Sequence, residues 1–529
     1  DNDDPGGRND SGAAFVVFGR RDGGKVELSD IEAGIGGFVI NGVSAGDSAG
    51  EGVSGGGDIN GDGLADLIVG ALHDDPNGDS SGAAFVVFGK KDTAAVELSA
   101  VESGAGGFVI NGASAGDRAG YRVSNAQDVN GDGLTDILVT AHLAAPNGGN
   151  SGAAFVVFGK KDTTAVELSA VQGGTGGFVM NGVGSGDRAG RSASTAGDVN
   201  GDGYSDLLVG APTDDPNGDS SGAAFVVFGK TGTTAIDLSN VESGIGGFVI
   251  NGASAGDQAG VTTAYAGDIN GDGLDDLLVG AKFADPGGRN DAGASYVVFG
   301  KKDTAAIELS NVESGTGGFV INGKVAGDYA ASVGTAGDFN GDGLNDILVG
   351  APEADTSGAD SGSAYLIFGK NNTLAVELSK VEEGAGGFAL NGVSAGHLLG
   401  LHSNGGGDIN GDGYSDLVIG ARGAAPNGAD SGAAYVVYGV GRIGILDKAL
   451  EEVSTAQSKL GAVQNRLIHN INNLSKSSML TEQSVGRILD ADFATETSGV
   501  SKQQILNQAA TAMLAQANMS KQSVLVLLE

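Results

Sequence analysis

Six copies of one nine-residue pattern place oxygen-bearing side chains at alternating positions of the chain. The first copy, Asp58 to Asp66, reads Asp-Ile-Asn-Gly-Asp-Gly-Leu-Ala-Asp, and the others follow at intervals of 70 residues. Each copy has side-chain oxygens at positions 1, 3, 5 and 9 and a backbone carbonyl at position 7. Calcium takes about six to eight oxygen ligands, and glycine permits the tight turn that directs alternate oxygens to one centre. The pattern therefore predicts calcium-binding loops.

For any single copy, the alternative is a surface turn rich in Asp and Asn that binds nothing. Six copies with the same four positions disfavour this alternative, because carboxylates held so close repel one another unless a cation lies between them. An EF-hand is excluded by length, since Val69 stands where the twelfth-position Glu of an EF-hand would be. The loops are predicted to be short calcium sites.

The residues around each loop indicate the elements that hold it. In the first complete repeat, apolar runs lie at Asp66–Ala71, Ala83–Gly89 and Gly107–Asn111. Short apolar runs between Gly, Asn and Asp turns are typical of strands buried on both faces. Stacked four-stranded sheets bury strands in this way, which favours a β-propeller. A β-solenoid is the competing architecture, although its repeats are usually much shorter.

The chain changes character near Gly441. Of its 98 glycines, 93 lie before this residue, as do all eight prolines. Residues 441–529 contain eight Lys and Arg and eight Asp and Glu, so the net charge of −37 belongs to the first 440 residues. Such acidity disfavours nucleic acid and anionic membranes as partners and favours cations. The lack of Cys excludes disulfides and thiolate metal sites. We expect two domains, 1–440 and 441–529.

The strands and loops together resemble a known family. A strand ending in Phe-Gly, Gly-Ala-Pro after another strand (Gly210–Pro212 and Gly350–Pro352) and the Asp-x-Asn-x-Asp-Gly-x-x-Asp loop resemble FG-GAP repeats, the units of the integrin α-subunit propeller. The resemblance covers about residues 1–440. It implies a mainly β fold, a seven-bladed propeller, with Ca²⁺ in the loops between the first two strands of a blade.

Carried over position by position, the resemblance implies about six Ca²⁺ ions, each held by four side chains and by the main-chain carbonyl of position 7. The implied ligands are Asp58, Asn60, Asp62, Leu64 and Asp66; Asp128, Asn130, Asp132, Leu134 and Asp136; Asp198, Asn200, Asp202, Tyr204 and Asp206; Asp268, Asn270, Asp272, Leu274 and Asp276; Asp338, Asn340, Asp342, Leu344 and Asp346; and Asp408, Asn410, Asp412, Tyr414 and Asp416.

The number of strands exceeds the number of loops. The strand of the Ala-Ala-Phe-Val-Val-Phe type occurs seven times, first at Phe15 and last at Tyr435, whereas the loop occurs six times. Asp1 begins in the middle of a turn whose sequence matches Asp285–Asp291. We therefore expect a seventh loop and strand pair before Asp1, and unpaired strand edges beside the Phe15 strand. A six-bladed ring closed by the N-terminal strands is the alternative.

No motif predicts catalysis. Gly42–Gly46 matches the Gly-x-Ser-x-Gly of a nucleophile elbow, but the segment recurs from Gly112, Gly252 and Gly392 as a turn inside the repeat. A nucleophile elbow lies between a strand and a helix and needs a histidine partner. The five histidines share no ligand-like spacing that would indicate a zinc site. We expect no enzyme activity.

Residues 441–529 follow a helical period. A heptad-like stripe extends from Leu446 to Leu474, and a second apolar run extends from Ile505 to Leu528. A stripe of about four heptads needs another helix to pack against. Neither run has an obvious partner within the chain, so a bundle between molecules is favoured over a helical hairpin that closes on itself.

The same residues resemble the C-terminal domain of bacterial flagellin. The similarity runs through residues 443–528 and includes the segments Leu460–Leu467 and Arg487–Thr497. It implies a filament subunit of an extracellular bacterial flagellum, with about 443–480 as an outer shell helix and 502–528 as an inner-tube helix. The propeller would then be the outward-facing domain.

Flagellins also carry a matching N-terminal helical half, which we expect to lie before Asp1. The implied partners are further copies of the chain, in a helical homopolymer, and that N-terminal half. Two other classes stay open. One is a secreted calcium-dependent adhesin or ligand-binding propeller that oligomerises through a flagellin-like tail, and the other is an enzyme with an accessory propeller.

Overall fold

Apolar runs separated by Gly-, Asn- and Asp-rich turns form the strands of the first part of the chain. The computed structural model describes residues 7–428, 431–439 and 442–526. The chain divides into two units, Asp1–Arg442 and Ile443–Glu529. The first consists of β-sheets with short helical turns, and the second is helical.

The elements of the first unit recur in a fixed series. They begin with β1 (Ala13–Val17), α1 (Leu28–Glu32) and β2 (Gly37–Asn41). The first complete series is β3 (Val53–Gly57), β4 (Asp66–Ala71), β5 (Ala83–Val87), β6 (Val96–Glu97), α2 (Leu98–Glu102) and β7 (Gly107–Asn111). The second is β8 (Val123–Gln127), β9 (Asp136–Ala141), β10 (Ala153–Val157), β11 (Val166–Glu167), α3 (Leu168–Gln172) and β12 (Gly177–Asn181). The third is β13 (Ser192–Gly197), β14 (Asp206–Ala211), β15 (Ala223–Val227), β16 (Ile236–Asp237), α4 (Leu238–Glu242) and β17 (Gly247–Asn251).

The remaining series follow the same order. The fourth is β18 (Ala259–Gly267), β19 (Asp276–Ala281), a short 3-10 helix (Pro286–Gly288), β20 (Ala294–Val298), β21 (Ile307–Glu308), α5 (Leu309–Glu313) and β22 (Gly318–Asn322). The fifth is β23 (Ser332–Gly337), β24 (Asp346–Ala351), β25 (Ser363–Ile367), β26 (Val376–Glu377), α6 (Leu378–Glu382) and β27 (Gly387–Asn391). The last strands are β28 (Leu399–Gly407), β29 (Asp416–Ala421) and β30 (Ala433–Val437).

Each complete series forms one antiparallel sheet of four long strands. The five complete sheets are β3-β4-β5-β7, β8-β9-β10-β12, β13-β14-β15-β17, β18-β19-β20-β22 and β23-β24-β25-β27. The two others are β1-β2 and β28-β29-β30. The two-residue strands join neighbouring blades, because β11 pairs in parallel with β7 of the preceding sheet. The described residues therefore form a seven-bladed propeller, as predicted from the FG-GAP resemblance, and the six-bladed alternative is wrong.

A contact that joins neighbouring blades also closes the ring. Asn77 Nδ2 donates to Glu167 Oε2 at 2.8 Å, between two consecutive repeats. Asn427 Nδ2 donates in the same way to Glu27 Oε2 at 3.1 Å, and these two residues belong to the last and the first sheet. The first and seventh blades are therefore neighbours in space.

Many of the glycines lie where two backbones meet. Gly82 has φ of +77°, and a Cβ atom built on it would lie 2.1 Å from the Ala119 carbonyl oxygen. No side chain fits in that space, and a positive φ is strained for residues other than glycine. The glycine content of the repeat is thus a packing requirement.

The core lies between neighbouring sheets. The third strand of each complete sheet carries a central aromatic side chain that is at most 1% exposed: Phe85, Phe155, Phe225, Tyr296 and Tyr365. Val86 of one sheet and Phe155 of the next belong to the same hydrophobic cluster. Full burial of such a side chain contributes about 1.5–3 kcal/mol relative to exposure, so packing between sheets is the main source of stability.

Two sheets have fewer long strands than the other five. Within the described residues, β1 pairs with β2 alone, and β30 pairs with β29 alone. Val436 in β30 is 47% exposed, whereas Leu366, at the equivalent position of β25, is fully buried. The unpaired edge that we expected beside the Phe15 strand is therefore seen in the structure.

The second unit consists of α7, an 85-residue helix from Arg442 to Val526. Both helical segments predicted from the sequence lie within it, apart from residues 527 and 528, which are outside the described range. From Leu460 to Leu474 its apolar stripe is open to solvent in the single chain, with Leu467 55% and Leu474 70% exposed. Among the residues that the structure describes, no helix combines the length and apolar character needed to cross a membrane.

Candidate metal-binding loops

The six Asp-Asn-Asp loops occupy equivalent places in six sheets. Each connects the first strand to the second, as residues 58–65 connect β3 to β4. Because successive strands are antiparallel, all six loops lie on one face of the propeller, which we call the loop face. The connections after the second and fourth strands lie on the opposite face, which we call the turn face.

The aspartate at position 9 ties its loop to the sheet. Asp66 is fully buried. Its Oδ2 accepts a hydrogen bond from the Ile59 N–H at 2.9 Å, and its Oδ1 accepts one from the Gly89 N–H at 2.7 Å. The same pair of contacts recurs at Asp136, Asp206, Asp276, Asp346 and Asp416. Position 9 therefore anchors each loop to its sheet through two backbone N–H groups.

Burial changes the acidity of these anchors. Burial raises the pKa of Asp136 to about 7, against the hydrogen bonds from Gly159 and Val129 and together with the charges of Asp132 and Asp128. The same cause raises the pKa to about 7 for Asp206, Asp276 and Asp346. A bound cation would oppose this shift, because it stabilises the ionised form of each neighbouring carboxylate.

Positions 1, 3, 5 and 7 lie around one tight turn. Asp58 accepts hydrogen bonds from the N–H groups of Asp62 at 2.9 Å and Gly63 at 3.0 Å. Asn60 Oδ1 accepts from the Asp62 N–H at 2.8 Å, and Asp62 Oδ1 accepts from the Leu64 N–H at 2.8 Å. Gly63 has φ of +83°, which shows why glycine is needed in this turn. The fold thus brings the predicted ligands of each loop together.

The carboxylates face the amide groups of their own loop. Across residues 7–428, 431–439 and 442–526, no group of three or more Asp, Glu or His side chains has the arrangement of a metal site. However, the side-chain oxygens of Asn200, Asn340 and Asn410, all at position 3, are buried without a hydrogen-bond partner. Unpaired acceptor oxygens beside three carboxylates suit a hard cation. The residue set therefore fits Ca²⁺.

Sequence reasoning missed the part played by the Phe-Gly glycine. The Gly89 N–H binds Asp66, and a Cβ atom on Gly89 would lie 2.5 Å from the Ala65 carbonyl oxygen. The separation between the position-9 aspartate and this glycine is 23 residues in five loops and 24 in the fourth, and this near-constant spacing is the signal that could have indicated the contact.

The Gly-x-Ser-x-Gly segments are turns on the turn face. Ser44 follows strand β2 and precedes strand β3, and its N–H donates to Asp47 Oδ2 at 2.7 Å. A nucleophile elbow requires a strand followed by a helix. This segment therefore lacks the setting of a nucleophilic serine.

Two family models match parts of the two units. Residues 443–528 match the model of the bacterial flagellin C-terminal helical region. FG-GAP repeats match at residues 119–157, 189–227, 260–298, 330–367 and 402–437. The FG-GAP matches lie in the propeller, and the flagellin match lies on α7.

Several flagellins are similar to part of the chain. Flagellin of Bacillus subtilis is 36% identical over 193 residues, which are 36% of this chain and 57% of that flagellin. Flagellin A of Vibrio anguillarum is 48% identical over 87 residues, which are 16% of this chain and 23% of that flagellin. The putative flagellin YvzB of Bacillus subtilis is 52% identical over 83 residues, 16% of this chain and 52% of that protein. The chain thus spans less than two thirds of each relative, and it joins an FG-GAP β-propeller to a C-terminal helical region of the flagellin type.

Proposed function

We propose that this chain is a structural subunit of a bacterial flagellar or flagellum-like extracellular filament. The observation that carries the proposal is the long helix α7, which matches the flagellin C-terminal region and has an exposed apolar stripe. Apolar surface in water costs roughly 25 cal/mol per Å², so a stripe that continues for many turns is stabilised when another helix covers it. Flagellin-type helices of neighbouring subunits are suitable partners.

The charges of the two units support the same arrangement. Residues 441–529 have equal numbers of acidic and basic residues, whereas the propeller carries the net charge of −37. Neutral helices can pack side by side, but acidic propellers repel one another at short range. In the proposed filament, about 443–480 forms the outer shell, 502–528 forms the inner tube, and the propellers lie outside.

We also propose that the loops of the propeller bind calcium. The oxygens of positions 1, 3, 5 and 9 and the carbonyl of position 7 would hold one Ca²⁺ in each loop. The ion would supply positive charge between carboxylates that are otherwise crowded, which stabilises the loop and the sheet to which Asp66 and its equivalents anchor it. The role is structural.

Assembly of the purified chain tests the proposal. Negative-stain electron microscopy and sedimentation should show filaments for the full chain, alone or mixed with depolymerised bacterial flagellin. A chain lacking residues 504–528 should stay in the supernatant with its propeller folded, as judged by circular dichroism. Filaments of unchanged diameter from the shortened chain would refute the inner-tube assignment. Absence of any assembly, in both the pure and the mixed samples, would refute the filament function.

A further inference from the structure

Four arginines form a basic cluster on the propeller, whose surface is otherwise acidic. Arg118 and Arg122 lie in the connection between β7 and β8, and Arg188 and Arg191 lie in the connection between β12 and β13. Both connections follow a fourth strand, so all four residues are on the turn face, opposite the calcium loops. We call them the arginine cluster. They are four of the nine arginines in the first 440 residues.

A tyrosine holds two members of the cluster together. The guanidinium carbon of Arg191 lies 4.8 Å from the centre of the Tyr121 ring, and that of Arg122 lies 5.1 Å from it. The ring of His142 also packs on Tyr121, with 4.1 Å between the ring centres. Contacts of this kind fix the position of side chains that are otherwise flexible. The cluster is therefore preorganised.

The cluster has no carboxylate partner in the described part of the chain. Arg8, Arg20 and Arg289 form ion pairs within 4 Å, but none of the four cluster arginines does. Burial lowers the pKa of Arg122 and Arg191, which shows that these charges have lost water, and the only compensating charge is that of the exposed Glu51. Positive charges that have lost water without gaining a counterion favour the binding of an anion.

His142 provides an unused polar atom beside the arginines. It is 8% exposed, and its Nδ1 has no hydrogen-bond partner. Burial, followed by the charges of Arg118, Arg188 and Arg122, lowers the pKa of His142 to about 4. The ring is therefore neutral at pH 7 and can serve as a hydrogen-bonding group without adding to the repulsion between the arginines.

The fold itself does not require these residues. In the following repeat, Gln258 takes the place of Arg188 and Val261 takes the place of Arg191, in a sheet with the same strands. The cluster is thus an addition to two repeats of a common scaffold. Because the fold does not need these residues, they are better explained by binding than by structure.

We propose that the arginine cluster binds a small oxyanion, a sulfate, phosphate or carboxylate group, either free or as the substituent of a sugar. One guanidinium group can donate hydrogen bonds to two oxygens of the same oxyanion. Two guanidiniums held against the Tyr121 ring can therefore bind a single anionic group together. A polyanion is disfavoured, because its further charges would meet the acidic surface that surrounds the cluster. For a single group bound inside the cluster, repulsion from exposed acidic side chains more than about 8 Å away is largely screened at physiological salt.

Calorimetric titration of the full chain tests this site with two probes, inorganic sulfate and N-acetylglucosamine 6-sulfate. We expect saturable binding of at least one probe, and the tighter of the two identifies the source of the group. The double variant Arg188→Gln with Arg191→Gln should weaken that binding at least tenfold. The matched control, Arg20→Gln with Lys25→Gln, removes the same charge from the loop face and should bind like the natural chain.

The outcomes separate clearly. Equal melting temperatures of the two double variants would show that both fold, and Gln258 is a natural precedent for one of the changes. Lack of saturable binding of both probes would overturn the proposal, as would equal weakening in the two double variants. Tight binding of dextran sulfate without binding of either small probe would overturn the preference for a single oxyanion.

Discussion

At the scale of single residues, two aspartates of the same loop have different surroundings, although both belong to one sequence pattern. Asp206 is fully buried and accepts hydrogen bonds from the N–H groups of Val199 and Gly229. Asp202 is exposed and accepts from the Tyr204 N–H within the loop. Asp206 thus anchors the loop to the sheet, in addition to its proposed role as a ligand, whereas Asp202 accepts hydrogen bonds from within its own loop. Substitutions at the two positions should therefore respond differently to calcium.

We expect Asp206→Ala to destabilise the full chain with or without calcium, by roughly 2–4 kcal/mol, because two buried N–H groups lose their acceptor. Asp202→Ala should lower stability in calcium but have a much smaller effect in excess chelator, since without the metal it removes only hydrogen bonds at the exposed surface of the loop. Urea denaturation of the full chain under both conditions measures the difference. If Asp202→Ala were equally destabilising in chelator, position 5 would be structural as well.

A second residue-scale prediction concerns Asp214, whose Oδ2 is buried without a partner. Burial, then the charges of Asp187 and Glu242, raise the pKa of Asp214 to about 7. The native state therefore holds this proton more tightly than the unfolded chain, whose Asp pKa is about 3.9. Protonated Asp214 therefore stabilises the folded state fully below about pH 4, the pKa of the unfolded chain. This stabilisation is lost as the pH rises through about 7, the pKa of the native state.

Asp214→Ala should therefore stabilise the protein at pH 8, by about 1–3 kcal/mol, and have a much smaller effect at pH 5. The equivalent residues Ala144, Ala284, Ala354 and Ala424 show that alanine fits this position. Urea denaturation of both proteins between pH 5 and pH 8 measures the change. A gain in stability that did not depend on pH would contradict the assigned ionisation.

The sequence predicted that the six repeated patterns form tight connections between strands, because a regular spacing of Asp, Asn and Gly is a local property. It did not predict contacts between distant residues. Lys90 lies with its Nζ 4.4 Å from the centre of the Phe38 ring in the preceding blade. Such a cation–π contact depends on which repeats become neighbours, and this follows only from the assembled ring.

At the scale of elements, the strands were predicted from their apolar runs, but the short elements between them were not. The two-residue strand Val96–Glu97 and the helix Leu98–Glu102 are too short to show a period in sequence. They form because the chain must cross from the third strand to the fourth, and β6 pairs with the edge of β2 on the way.

The open edge of β30 gives a prediction at this scale. Leu366→Asp should unfold the protein or destabilise it by more than about 3 kcal/mol, because it places a carboxylate in a fully buried site. Val436→Asp, at the equivalent position of β30, should have a much smaller effect on the single chain, since Val436 is half exposed. Thermal denaturation of both variants is the measurement. Equal destabilisation would mean that a partner strand covers β30.

The helix gives the corresponding prediction for assembly. Leu467→Asp should leave the melting temperature of the unassembled chain unchanged, because Leu467 is exposed there, but should prevent filament formation. In a packed helix interface the carboxylate would cost several kcal/mol. Asn473→Asp, an exposed position away from the Leu467 stripe, is the control. Normal filaments from the Leu467 variant would show that this stripe is not an interface.

At the scale of the whole molecule, the number of blades follows from the strands and not from the loops. The seven third strands predicted from sequence are all present in seven sheets, and the ring closes through Asn427 and Glu27. Ring closure could not be predicted from sequence, because the contact joins residues 400 positions apart. The arrangement of α7 in a filament is likewise a property of many chains.

Calcium removal tests the propeller as a unit. Six ions would reduce the formal charge of −37 by 12, to −25, so their loss should increase repulsion across the loop face. Excess chelator should lower the melting temperature of the full chain, and calcium should restore it, whereas magnesium should restore it less because it demands a tighter octahedral site. An unchanged melting curve in chelator would refute the calcium assignment.

The most direct test of the central claim is the cross-section of an assembled filament by cryo-electron microscopy. We expect α7 in the wall of the tube, with residues 502–528 innermost and 443–480 outside them, and one seven-bladed ring projecting from each subunit at larger radius. Filaments whose walls are built from propellers, with α7 exposed at the surface, would contradict this account.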